Sequence, residues 1–274
     1  MERSPQPTGR VYVVGAGPGD PDLITLRGQK LLASADVVFY TGSLVPEQML
    51  QHCRADAEII DTRDRVLETI LPLAIARAQA GLTVVRLQDG DPSLYGALHE
   101  LMARLLEVNI DFEIVPGVSA FQLAAARLKV ELTVPELVQS IILTRTSGRT
   151  TVPEAEDLAK LAAHRASLCL YLSARHAANA QTKLLEHYPA DTGIALCYRL
   201  GWPDEILIRG RLDRMNDLTR TSGFERTVLY VISPALNCWP QSDIPENQQR
   251  SRLYSPDHAH LFRPHRSKTP VARN

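Results

Sequence analysis

The sequence predicts an α/β protein of two domains, each built on a mainly parallel sheet flanked by helices. Three observations predict it. Short apolar, β-branched runs alternate with segments of helical spacing. Gly and Pro repeatedly punctuate the carboxyl ends of those runs, where a strand must turn into a helix. The alternation lapses around Pro135 and then restarts, and 274 residues is an ordinary length for two medium domains.

Taken in order, Val11-Tyr12-Val13-Val14 reads as a buried strand entering a Gly/Pro loop. Apolar positions 23, 24, 26, 31 and 32 fit a helix over 22–32, with Asp20 or Asp22 as its cap. Residues 36–40 form the second strand, 66–80 a helix stopped by Gly81, and 83–87 a strand. A helix over 96–106 and a strand over 112–115 follow. Residues 119–128 are an Ala-rich helix able to pack closely, with Ser119 as N-cap. After the connector around Pro135, strands are expected at 140–144, 167–172, 194–198, 205–210 and 227–232, with helices over 154–164 and 174–187. The expected organisation is a disordered 1–9, domains over 10–135 and 136–238, and a flexible Pro-, Ser- and Arg-rich tail over 239–274.

Composition excludes several function classes. Hydrophobic residues make up 45% and charged residues 22%, so a sizeable core is available and disorder is not the default. A net charge of -1 gives no global field for nucleic acid or an anionic membrane, and any anionic ligand must be met by a local group of Arg. Cys53, Cys169, Cys197 and Cys238 form no C-x-x-C pair and read as free thiols rather than zinc ligands or a redox dithiol. The first nine residues lack the apolar core of a signal peptide, and no apolar run is long enough to span a membrane. The cytoplasm is the expected location.

Four loops carry the chemistry. Gly15-Ala16-Gly17-Pro18-Gly19-Asp20 is not a dinucleotide fingerprint: its glycines are spaced by one residue, and Pro18 removes an N–H that a phosphate cradle needs. A loop exposing carbonyls suits a cationic or neutral ligand; the alternative is a structural turn. Gln88-Asp89-Gly90-Asp91-Pro92-Ser93 follows a strand, where open α/β sheets bind ligands. Asp89 and Asp91 read either as caps of the next helix or as acid–base or Mg²⁺ carboxylates. Val115-Pro116-Gly117-Val118-Ser119 repeats the geometry. Arg145 and Arg149 read as a solvated face or as a clamp for carboxylates.

In these loops the chain resembles the tetrapyrrole methyltransferases, the class III S-adenosylmethionine (SAM)-dependent family. The resemblance rests on Val14 to Leu26, on Asp89-Gly90-Asp91-Pro92 with Tyr95-Gly96, and on Val115-Pro116-Gly117-Val118-Ser119. Leu143-Thr144-Arg145, Gly148-Arg149-Thr150, Val152-Pro153-Glu154 and Trp202-Pro203-Asp204-Glu205 are similar to the subgroup acting at carbon C-11; Thr151 stands where that pattern has Pro. The resemblance runs from about Val11 to about Leu236, and the tail has no counterpart. It implies two domains with mainly parallel or mixed sheets, an active-site cleft between them, and a homodimer. The implied activity is methyl transfer from SAM to C-11 of precorrin-4 or cobalt-precorrin-4, giving precorrin-5 or its cobalt form in cobalamin biosynthesis, with no metal required of the protein. The other readings are methylation at another ring position or a non-catalytic SAM-binding domain. By motif, SAM would touch Gly17, Pro18, Gly19, Asp89, Gly90, Asp91, Leu94, Ser119 and Ala120, and from the second domain Leu172, Arg199, Ser233 and Ala235. Arg145, Arg149 and Glu154 would meet the tetrapyrrole, whose acetates and propionates make it a polyanion. No catalytic residue is implied, because in-line displacement from a sulfonium depends mostly on alignment.

Overall fold

The computed structural model describes residues 9–148 and 150–237. Arg149 and the tail expected after 238 lie outside them; of the first nine residues only Gly9 is inside, its N–H donating to Ala78 O at 2.7 Å.

Two five-stranded sheets organise the described residues. The first holds β1 (Val11–Gly15), β2 (Val37–Tyr40), β3 (Glu58–Asp61), β4 (Val84–Gln88) and β5 (Phe112–Val115), all parallel, in the order β3-β2-β4-β1-β5. Period-two alternation sends each strand's side chains to both faces, and both are covered. Val11, Val13, Val37, Phe39 and Val84 meet α2 (Leu67–Gln79) and α3 (Leu98–Glu107). Val14, Val38, Val85 and Leu87 meet α1 (Leu26–Ser34) and the segment around Met49.

The second sheet is mixed: β6 (Ile141–Arg145), β7 (Ser167–Tyr171), β8 (Gly193–Tyr198), β9 (Ile206–Arg211) and β10 (Val228–Ile232), in the order β6-β7-β10-β8-β9. Only β6 and β7 pair in parallel. Helices α5 (Leu158–Ala162), α6 (Ala177–Leu185) and α7 (Met215–Thr221) cover one face. The other face is covered by α4 (Ala120–Leu128), which follows β5 in the chain yet buries Leu123, Ala124 and Leu128 against Cys169, Ala195, Cys197 and Val231. Its small residues permit that close seat. Burial pushes the Cys169 and Cys197 thiols up to about 12, so both stay protonated and inert. Among the described residues, no helix is long and apolar enough to cross a membrane.

Several local expectations are corrected. The first helix begins at Leu26, not at 22, because Thr25 rather than an Asp is its N-cap: Thr25 Oγ1 accepts from Gly28 N at 3.1 Å. Asp20 instead caps the single 3-10 turn Pro21–Leu23. Strand β3 and helix α7 lack a sequence signal strong enough to expect them: β3 is a four-residue edge strand with no fully buried side chain, and α7 spans only seven residues. Thr25→Ala is expected to cost about 1 kcal/mol of stability by orphaning the Gly28 N–H, whereas Thr25→Ser should cost little. Thermal unfolding of the two variants checks this; equal melting temperatures would show that the cap is idle.

Candidate functional site

The loops leaving β1, β4 and β5 lie side by side at the carboxyl edge of the first sheet and are packed backbone against backbone. Gly17 and Gly90 pair as a small antiparallel bridge, Gly17 N to Gly90 O at 3.2 Å and Gly90 N to Gly17 O at 2.8 Å. Both take left-handed backbone, φ +77° and +59°. A Cβ on Gly15 would lie 2.5 Å from Gly117 N and 2.7 Å from Gly90 O; one on Gly117 would lie 2.8 Å from Gly15 Cα and press into Gly90 O. The glycines are therefore there so that three loops can form one floor. The Gly17, Gly90 and Gly117 N–H donors are all spent inside the protein, and this geometry cannot cradle a phosphate.

Asp91 ties the floor together. Its Oδ1 accepts from Ser93 N at 2.9 Å and from the Ser93 hydroxyl, and its Oδ2 accepts from Gly117 N at 3.0 Å. Burial alone would raise its pKa; these donors outweigh burial and hold the carboxyl below the usual range. Neither Asp89 nor Asp91 caps α3. That helix starts at Leu98, and its cap position, Ala97, is left-handed with φ +50°. Asp89 is packed deep among neighbouring atoms yet its side chain is open to solvent on one side. Burial pushes its carboxyl up, with the positive charge of Arg86 acting against that.

Elements of the second sheet face this floor. Tyr171, ending β7, accepts at its hydroxyl from Phe121 N at 3.2 Å, and its ring lies 5.5 Å from that of Tyr95. Tyr95 (φ +57°) and Ala97 take strained left-handed backbone in the loop after Asp91. Leu172 follows Tyr171, also left-handed (φ +51°) and 65% exposed, an apolar side chain presented to open space. Leu200 O and the Trp202 ring press on Gly19, whose Cβ would lie 2.7 Å and 2.5 Å from them. Trp202 carries the Arg199 guanidinium over its face at 3.9 Å, and Asp204 pairs with Arg199 at 2.7 Å. Glu205 accepts from Gly201 N at 2.6 Å and from Arg127 Nε at 3.1 Å, while Arg127 also reaches Asp20 at 3.8 Å. The Trp202 to Glu205 motif is thus a latch seated on the first loop.

Gly17, Pro18, Gly19, Asp89, Gly90, Asp91, Leu94, Ser119 and Ala120 share the floor or the segments entering and leaving it, and Leu172 and Arg199 stand at the facing sheet end. Ser233 and Ala235 are not brought there. Ser233 is fully buried, its Oγ 2.7 Å from that of Ser167 and its N–H on Gly193 O. Those partners begin β7 and β8, and antiparallel pairing puts the end of β10 at the edge opposite Leu172. Arg145 ends β6, donates to Thr150 O at 3.0 Å and, among the described residues, pairs with no carboxylate. Glu154 is largely exposed on Lys160 at 3.0 Å, a surface pair worth little. Sequence reasoning named Tyr95 only within a loop motif and missed its pairing with Tyr171, since an aromatic at a strand end such as Tyr171 reads as core. It also missed Arg86, whose signal was visible: one charge inside the apolar run Val84-Val85-Arg86-Leu87.

Comparison with known proteins bears on the family and the fold. The family described as Tetrapyrrole (Corrin/Porphyrin) Methylases matches residues 10–216. A precorrin-4 C(11)-methyltransferase of Pseudomonas aeruginosa is 43% identical over 93% of this chain and 98% of its own length. The X-ray structure of a cobalamin biosynthetic enzyme, a cobalt precorrin-4 methyltransferase, is 40% identical with TM-score 0.80, over 83% of this chain and 95% of that one. A uroporphyrin-III C-methyltransferase from Thermus thermophilus, solved with S-adenosylhomocysteine, gives TM-score 0.70 at 25% identity, over 86% and 97%. On sequence and fold together, the chain belongs to the tetrapyrrole (corrin/porphyrin) methylases.

Proposed function

We propose that the chain transfers a methyl group from SAM to C-11 of precorrin-4 or cobalt-precorrin-4, giving precorrin-5 or its cobalt form in cobalamin biosynthesis. The observation that carries this reading is the floor itself. The Gly17, Gly90 and Gly117 N–H donors are consumed and its rim bears Asp89, an arrangement poor for phosphate and suited to a cationic ligand. The names of the similar proteins supply the ring and the position.

When bound, SAM supplies a methyl group on sulfonium, already a good leaving group. The chain's residues do the rest by placement. The loops at Gly17-Pro18-Gly19, Asp89-Gly90-Asp91 with Leu94, and Ser119-Ala120 hold the cofactor from one side, and Leu172 and the segment at Arg199 from the other. Ser233 and Ala235 are left to the packing of the second sheet. Arg145 and Arg149 meet the substrate's carboxylates, and Glu154 meets the tetrapyrrole elsewhere. The site is a cleft between units 10–135 and 136–238, with α4 crossing to the second sheet, and closing it excludes water from the displacement. The working form is a cytoplasmic homodimer, and the reaction asks no metal of the protein.

The test is incubation with SAM and each of the two precorrins, followed by mass spectrometry and NMR of the product. A gain of one methylene, located at C-11, is expected. A methyl group at another carbon would assign a different ring position, and no turnover despite SAM binding would leave a binding domain without catalysis.

A further inference from the structure

On the α2–α3 face of the first sheet, Arg86 rises from β4 toward the carboxyl edge. Its Nη1 donates to Thr62 Oγ1 at 2.8 Å and its Nη2 to Thr41 Oγ1 at 3.1 Å. Thr62 Oγ1 lies 2.9 Å from Tyr40 O and 3.0 Å from Thr41 Oγ1. These distances permit one proton arrangement. A carbonyl only accepts, so Thr62 gives its proton to Tyr40 O; Thr41 must then give its own to Thr62. Both hydroxyls turn lone pairs to the guanidinium, which is thereby held rigidly.

That guanidinium has no carboxylate within 4.0 Å among the described residues. Its surroundings are mostly protein, and burial presses its pKa down, with Asp89 opposing. A charge so placed is costly unless something pairs with it. Among the described residues its Nη1 and Nη2 carry the side-chain hydrogen bonds and its Nε carries none. The residue is half-buried, so solvent reaches part of it. A fixed guanidinium with spare donors, desolvated on most sides and reachable on one, is a receptor for a planar anion.

We propose that Arg86 receives a carboxylate of the tetrapyrrole. This rests on the methyltransferase reading above, which supplies a polycarboxylate ligand. Two sources of carboxylate are available, the cofactor's methionyl group and the ring's acetates and propionates. Position favours the ring: Thr41 and Thr62 follow β2 and β3, on the far side of β4 from the loops of β1 and β5.

The experiment is titration of the full chain with two probes, S-adenosylhomocysteine and uroporphyrin III, a stable tetrapyrrole bearing acetate and propionate side chains. Arg86→Gln is expected to weaken uroporphyrin binding about tenfold to a hundredfold while leaving S-adenosylhomocysteine unchanged. Arg86→Lys should recover part of the loss and carries the test if the Gln variant does not fold. Thr41→Val removes one tie but leaves the charge, and should keep uroporphyrin binding within a few-fold. If Thr41→Val copies Arg86→Gln, the arginine is only a strut and the proposal fails. It also fails if the cofactor probe is the one lost, or if folded Arg86 variants bind uroporphyrin normally. A wild-type chain that binds the cofactor probe and ignores the tetrapyrrole would overturn the reading beneath it, and this inference with it.

Discussion

Gly117→Ala is expected to unfold the protein about 5–10 °C earlier and to weaken S-adenosylhomocysteine binding more than tenfold, from a stability loss of about 3 kcal/mol. The cause is one methyl group meeting two backbones. A Cβ there presses into Gly90 O and lies 2.8 Å from Gly15 Cα. A flexible side chain would swing aside, but these atoms belong to the other two loops of the floor and cannot yield without separating them. Backbone conformation is not the cause, since Gly117 is not among the glycines with positive φ. Gly148→Ala is the control, because among the described residues its Cβ would meet only His176 Nε2, at 3.4 Å. Differential scanning calorimetry and a ligand titration on both variants decide the matter. Near-equal behaviour would mean that the floor is loose and that its glycines have some other purpose.

Asp91→Ala should cost about 2 to 3 kcal/mol at neutral pH and lower cofactor affinity at least tenfold, since it strips acceptors from Ser93 and from a part-buried Gly117 N–H. The pH dependence gives a second signature. Hydrogen bonds hold the folded-state pKa of Asp91 below its ordinary 3.8. The stability it contributes is thus fully present above about pH 4 and is lost as pH falls through the depressed folded value. Asp91→Asn should flatten that part of the acid limb while lying below wild type at pH 7. Parallel acid limbs for Asn and wild type would show that the carboxylate is not the hub of the loops.

What was legible in the sequence follows from how local each feature is. Strands such as Val37–Tyr40, buried on both faces, announce themselves as apolar runs, and the Gly/Pro loops mark where they end. Ser119 as the cap of α4 was likewise readable, because a capping box with Gln122 spans only three residues. The cap of α1 was misjudged because Asp20, Asp22 and Thr25 are all competent caps, and only packing against the sheet selects among them. The cap reading, one of the two open for Asp91, failed for the same reason: its partner Gly117 lies 26 residues away, and no local pattern reports such a pair.

By itself the sequence determined the two-sheet α/β class, the Gly/Pro loops that end its strands and, through their motifs, the family. It determined these because hydrophobic period, turn chemistry and motif spacing are properties of neighbouring residues. Only the tertiary structure decided that three glycine loops close into one floor with its donors spent, that α4 changes sheets, and that Ser233 lies at the far edge from Leu172. Each of those depends on which strands pair and in which direction, and strand order and direction join residues far apart in the chain.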